Sequence, residues 1–388
     1  MGSLENSQQA TAESQAPEIK ISLSDDLVDV PELGSPEYLA LANTDHMVTI
    51  KWTSRGGWET PELRPVSNLP LPPTASCLHY ATECFEGLKA YRGYDGALRL
   101  FRPDCNGERL AMSAQRASLP PYPPDQLKYL IAKLMEIDGH RWLPKDRPGH
   151  YVYIRPAIIG IGKKLGFKIP DEALLFIIAT PYADLNKTRD GKPLTLKLLT
   201  SPPDAIRAWP GGYGYAKLGA NYGPSLEAHS HATAAGFNQI LWLFGKDRIV
   251  TEAGASNLFL VIRNQESGRN ELVTPSLDNS LILSGITRRS VLELARERLI
   301  NAVGGLKLAD VKERQVTIRD IEQAWRDGHL LEAFVVGTAY SLTSVSLIRN
   351  GTDDIEIGDA GYASQINAWL DEIRYGKTKH DWTYKVKE

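Results

Sequence analysis

The sequence is poor in everything that would staple it or anchor it to a surface. Three cysteines in 388 residues, Cys77, Cys84 and Cys105, leave one over from any pairing and form no C-x-x-C, which argues against a disulfide framework or a cysteine zinc site. No apolar run approaches the length needed to cross a bilayer. The net charge is only −3, from 44 basic and 47 acidic residues, so no overall field favours nucleic acid or an anionic membrane, and small anions would need local pockets. Residues 1–20 hold neither arginine nor an apolar stretch, against a secretory signal or a mitochondrial presequence. A cytoplasmic protein with a disordered tail at 1–24 is expected. Metal chemistry is not expected either. His46, His79, His229 and His231 read as structural or surface residues, and the acids Asp353, Asp354, Glu356 and Asp359 lack calcium-loop spacing.

Glycine, by contrast, is concentrated in Gly211-Gly212-Tyr213-Gly214-Tyr215-Ala216-Lys217-Leu218-Gly219-Ala220-Asn221-Tyr222-Gly223, which carries a single cation. Glycines there are expected to let backbone close on a flat ligand. Desolvation in such a site disfavours an ammonium and leaves an amine able to attack an aldehyde. A lone glycine-flanked lysine is more often a solvated loop residue; Lys217 stands above that reading through its company. Tyr222 follows closely, and Glu252 ends the strand-like run from Gln239 to Val250. A phenol and a carboxylate are what pyridoxal phosphate needs at its O3′ and its ring nitrogen. Further on, Ser284-Gly285-Ile286-Thr287 opens a helix whose free N–H groups suit a phosphate, although an ordinary capped start is commoner.

The periodicity predicts an α+β chain in two halves. A hairpin is expected around Tyr94-Asp95-Gly96, helices from Arg109 to Ser118 and from Asp125 to Ile137 with Asp125 as N-cap, and buried strands over Tyr151 to Ile159 and Ala173 to Thr180. Gly160-Ile161-Gly162 imitates a dinucleotide turn, but the next strand arrives too soon for a crossover helix, so a nicotinamide site is rejected. Later come a helix from Leu226 to Ala235, strands over Gln239 to Phe244 and Asn257 to Ile262, and a helix from Ile286 to Leu299.

Seven stretches, in order, resemble the branched-chain amino-acid aminotransferase family: Tyr80 within Leu78 to Ala90, Tyr153-Ile154-Arg155-Pro156, Arg207-Ala208-Trp209, Lys217 to Gly223, Thr251-Glu252-Ala253-Gly254, Gly285-Ile286-Thr287-Arg288-Arg289 and Gly337-Thr338-Ala339. The resemblance implies the two-domain, fold-type IV α+β architecture, with a small α/β domain at 25–183, a linker at 184–195 and a larger β-barrel-like domain at 196–388. It implies pyridoxal 5'-phosphate as cofactor, leucine, isoleucine or valine and 2-oxoglutarate as substrates, and a homodimer with shared active sites. By similarity Lys217 is the Schiff-base lysine and proton carrier, Glu252 pairs with the pyridine nitrogen, and Tyr222 meets O3′. Arg109, Ile286, Thr287 and Thr338 would hold the phosphate. Tyr80, Tyr153, Arg155 and Ala339 would receive the substrate, with Tyr80 and Leu165-Gly166-Phe167 coming from the partner.

Several positions depart from the family pattern. Leu39-Ala40 stands where Phe-Gly is usual, Ala255 where threonine is, Leu185 where a tyrosine closes the site, and Phe167 where a smaller aliphatic is common. Tyr340-Ser341-Leu342-Thr343 has no C-x-x-C, so thiol regulation of that kind is not expected. A reshaped pocket for a bulkier hydrophobic substrate competes with ordinary drift. Two other classes stay open: another fold-type IV enzyme, such as an amine or D-amino-acid aminotransferase, and a non-catalytic binding protein on the same fold.

Overall fold

Two sheets organise the computed structural model, which describes residues 18–182, 184, 192–300, 302 and 305–388. The first is centred on Tyr151–Gly160 and Glu172–Pro181, paired antiparallel from Val152↔Pro181 to Gly160↔Ala173. Both strands are apolar on both faces because the sheet is covered on both. The antiparallel return removes any room for a nucleotide-binding crossover after Gly160, as the short connection had indicated. His46–Thr53 flanks this pair on one side; Leu88–Arg92 and Leu98–Phe101 follow on the other as the expected hairpin, with Gly96 left-handed at φ 74° in its turn.

Helix Pro124–Trp142 lays Leu127, Leu130, Ile131 and Leu134 into the core of this sheet. Its start corrects the sequence reading. Pro123 is the N-cap without a side-chain bond and Asp125 lies inside the first turn, because the proline at the first helical position needs no N–H partner and Asp125 complements the helix dipole instead. Helix Pro103–Arg116 likewise begins at a proline, ahead of Arg109. The far end of the chain returns to the first sheet: Thr383–Lys385 pairs with Leu98–Phe101. That return brings Glu388 to the fully buried Arg92, with Nη1 to Oε2 at 2.6 Å and Nη2 to Oε1 at 2.7 Å.

The second sheet closes on itself. Thr195–Thr200, Gln239–Phe244, Ile249–Ala253, Ser256–Arg263, Leu330–Gly337 and Ser341–Asn350 form a ring of six strands, completed by the pairs Glu252↔Asn257 and Ala253↔Ser256. Every second residue points inward. Leu196, Leu198, Leu241, Leu243, Val250, Leu258, Leu260, Val335 and Val345 fill the interior. The run from Gln239 to Val250 is thus two strands, broken by a turn with Gly245 at φ 70° and Arg248 at φ 53°. Helix Ile286–Arg298 packs outside the barrel through Val291, Leu292 and Ala295. Among the described residues no helix is long and apolar enough to cross a membrane.

Candidate active site

Lys217 follows the first barrel strand in sequence, yet the first sheet holds it. Its N–H donates to Ser113 Oγ (2.9 Å), its carbonyl accepts from the Phe85 N–H (3.1 Å), and its neighbours Ala216 and Leu218 are buried in the first sheet's core. The nearby glycine Gly219 serves that packing, since a Cβ there would fall 1.6 Å from Glu83 Oε1. With the backbone fixed, Lys217 Nζ donates to Tyr222 Oη at 2.9 Å and lies 4.7 Å from the centre of the Phe85 ring. The 3-10 turn Gly219–Asn221 brings Tyr222 round to this position, and a second, Gly223–Ser225, follows it.

Glu252 sits at the closing seam of the barrel and is 2% exposed. Its Oε1 accepts from the Leu283 N–H (2.6 Å) and its Oε2 pairs with Arg207 Nη2 (3.0 Å). Burial pushes this carboxyl up, against the pull of Arg207, the Leu283 N–H, Lys217 and Arg109. Arg207 therefore has a role the sequence did not disclose, that of a buried counter-ion.

Arg109 is locked by Glu86, Nε to Oε1 at 2.7 Å and Nη2 to Oε2 at 2.9 Å, and its Nη1 donates to Ser284 O at 3.0 Å. It thereby reaches from the first sheet to the start of helix Ile286–Arg298. That start has Gly285 as N-cap and no side-chain cap bond, so its N–H groups are available to an anion. Thr338 Oγ1 donates to Gly87 O (3.2 Å) and Thr287 Oγ1 to Gly337 O (3.2 Å), tying the turn Gly337-Thr338-Ala339 to both neighbours. Lys89 completes the tie by donating to Ala339 O at 3.3 Å. Burial, assisted by Arg374 and opposed by Asp184 and Asp371, pushes its ammonium down to about 7.

Arg155 and Tyr153 share the long central strand and meet, Nη2 to Oη at 3.2 Å. The guanidinium lies 4.6 Å from the centre of the Phe85 ring, its buried Nε has no hydrogen-bond partner, and no carboxylate pairs with it among the described residues. A cation held this way is suited to an incoming carboxylate. Tyr182, which the sequence reading passed over, stacks on Tyr153 with ring centroids 5.0 Å apart. Ala255 is exposed beside Gly254, Ala339 is half-buried, and Leu39 is exposed at the end of the short helix Pro36–Leu39. Leu185 lies outside the described residues.

Tyr80, Leu165 and Phe167 form a different neighbourhood. Their relative exposures are 41%, 62% and 95%, and the Tyr80 and Phe167 rings meet edge-on at 5.9 Å. Of the histidines, His46 is buried with Nδ1 2.6 Å from Asp138 Oδ1, and among the described residues no group of three metal-ligating side chains converges. A cavity of about 840 Å³ lies against Ile240 and Trp242 of strand Gln239–Phe244, lined also by Arg207, Asn221 and Pro224 but not by Lys217 itself.

The family described as amino-transferase class IV matches residues 83–348. The cytosolic branched-chain-amino-acid aminotransferase of Mus musculus is 43% identical over 88% of this chain and 86% of its own length. The mitochondrial enzyme of that name from Saccharomyces cerevisiae is 41% identical over 88% and 86%. Among solved structures, the branched-chain amino acid aminotransferase of Thermobaculum terrenum in its PLP-form superposes with a TM-score of 0.67 at 24% identity, covering 90% of this chain and 100% of that one, and so shares the fold. The closed barrel, the lysine with its phenol and buried acid, and these likenesses agree: the chain belongs to the class IV aminotransferases, among the branched-chain-amino-acid aminotransferases.

Proposed function

We propose that this chain exchanges an amino group between hydrophobic L-amino acids, the branched-chain ones first, and 2-oxoglutarate, with pyridoxal 5'-phosphate as cofactor. The observation that carries the reading is the contact of Lys217 Nζ with Tyr222 Oη at 2.9 Å, within electrostatic reach of the buried Glu252. When bound, the cofactor supplies an aldehyde that takes up an amine and a ring that accepts the electrons of a broken C–H bond.

The residues fit that group. Glu252, held by Arg207 and the Leu283 N–H, is a fixed anion for a protonated pyridine nitrogen. Tyr222 Oη serves O3′ and orients the amine of Lys217. Arg109, the N–H groups of Ile286 and Thr287, and the Thr338 hydroxyl would hold the phosphate. Lys217 Nζ would take the proton from the substrate Cα and act as the proton carrier of the exchange. Arg155 receives the substrate carboxylate beside Tyr153 and the Ala339 turn, which disfavours an amine lacking that group as the natural donor. An amino-donor panel with 2-oxoglutarate tests the reading, together with visible absorbance. Leucine, isoleucine and valine should be turned over and a cofactor band should be present; Lys217→Ala should lose turnover and the band together. Turnover retained in that variant would refute the assignment.

A homodimer with shared sites belongs to the same reading. Leu78, Tyr80, Leu165, Phe167 and Ile169 form an exposed apolar patch, 58%, 41%, 62%, 95% and 70% accessible, of the kind that a second copy covers. Sedimentation velocity should give a dimer, and a fully active monomer would contradict it. The cytosol is the proposed location, to be checked by fractionation against a mitochondrial marker.

A further inference from the structure

Two tyrosines outside the roles above face the same space. Tyr182 ends the strand Glu172–Pro181 by stacking on Tyr153, at 28° between ring planes, and its phenol lies within electrostatic reach of Arg155 and Tyr340. Tyr340 immediately follows Ala339. Its ring packs on the end of the barrel core, its carbonyl accepts from Thr343 Oγ1 (3.0 Å), and its hydroxyl accepts from Gln239 Nε2 (3.2 Å). Gln239 in turn lies over Gly254, where a Cβ would come 2.1 Å from its Oε1, so Tyr340, Gln239, Gly254 and the exposed Ala255 make one continuous wall. Phe85 lies under both Lys217 Nζ, at 4.7 Å, and Arg155, at 4.6 Å, and so adds an aromatic face beside these two groups.

A substrate whose carboxylate is on Arg155 and whose Cα is at Lys217 therefore extends its side chain between aromatic faces, past a residue no larger than alanine. Ring faces and edges attract a flat ring more than they attract a branched aliphatic of similar volume. Resting on the aminotransferase reading above, we propose that Tyr182 and Tyr340 are specificity-determining residues that extend the substrate range to planar aromatic amino acids, with phenylalanine and its 2-oxo acid as the representative pair.

The test compares kcat/KM for phenylalanine and leucine, with 2-oxoglutarate as acceptor, in the wild-type holoenzyme and in Tyr182→Leu, Tyr340→Ala and Tyr340→Phe. The wild type should use phenylalanine within about tenfold of leucine. Each of Tyr182→Leu and Tyr340→Ala should lower the phenylalanine-to-leucine ratio by roughly tenfold, a range that small changes in a pocket wall produce. Tyr340→Phe keeps the ring and should keep most of the ratio. Calorimetry with two unreactive acids, 3-phenylpropionate and 4-methylvalerate, should give the same ordering of Kd ratios without turnover. Leucine turnover with phenylalanine below a hundredth of it, or ratios unchanged in both truncations, would overturn this proposal alone. Absence of turnover with every hydrophobic amino acid would instead overturn the aminotransferase reading on which it rests.

Discussion

Replacing Lys89 by methionine should change how stability responds to pH, because the native fold holds this ammonium at about 7 while an unfolded lysine titrates near 10.5. Between those values the unfolded chain binds a proton that the native chain does not, so wild-type stability rises with pH across that window. The destabilisation is complete below pH 7 and gone above about pH 10.5. One proton contributes at most about 1.4 kcal/mol per pH unit, so the wild type should gain about 3 kcal/mol on Lys89→Met between pH 7 and 9.5. Loss of the bond to Ala339 O shifts the difference by about 1 kcal/mol at every pH and does not tilt it. Tyr375 and Cys84, both pushed up by burial, are common to both proteins and cancel, and Tyr151, whose ring centre lies 3.8 Å from Lys89 Nζ, is held by burial above this window. Urea unfolding of the two holoproteins, in half-unit pH steps, measures the difference directly. A difference that stays flat would mean that Nζ is ionised throughout, and the account of its desolvation would be wrong.

Glu252→Gln should keep the cofactor but lower kcat by more than about tenfold, because a neutral amide cannot stabilise charge on the pyridine nitrogen; near-normal kcat at full occupancy would place the supporting carboxylate elsewhere. Deleting Glu388 leaves the fully buried Arg92 without its bidentate partner and should cost roughly 1–3 kcal/mol in urea unfolding, less than for a fully buried pair because the residue Glu388 is exposed. An unchanged midpoint would show that the carbonyls of Leu143, Gly96 and Gly139 suffice.

Local pattern was enough for the contact of Lys217 with Tyr222 and not for the groups that support it. Lys217 and Tyr222 lie five residues apart and are joined by one tight turn, Gly219–Asn221, so their contact could be anticipated from adjacent sequence. The barrel strands were legible as short, near-continuous apolar runs, because both of their faces are buried, as in Gln239–Phe244 and Ser256–Arg263. Glu86 on Arg109, Arg207 on Glu252 and Ser113 on Lys217 could not be seen, since each joins elements 23, 45 or 104 residues apart that only the tertiary fold brings together. The same holds for the final strand, whose three residues carry no periodic signal yet pair with Leu98–Phe101. Helix starts were misread at Asp125 because two prolines in a row, Pro123 and Pro124, replaced a capping side chain.

The anchoring of Lys217 also limits how related enzymes can be recombined. A chimera cut between Pro181 and Thr195 would take the lysine, with Ala216 and Leu218, from one parent and Ser113, Phe85 and the core around them from the other. The amine would then depend on a fit that neither parent's barrel specifies. Crossovers that keep activity should therefore carry the stretch from Gly211 to Gly223 together with the first sheet, so that the unit of inheritance for the reactive amine is a pair of sequence-distant segments and not a domain.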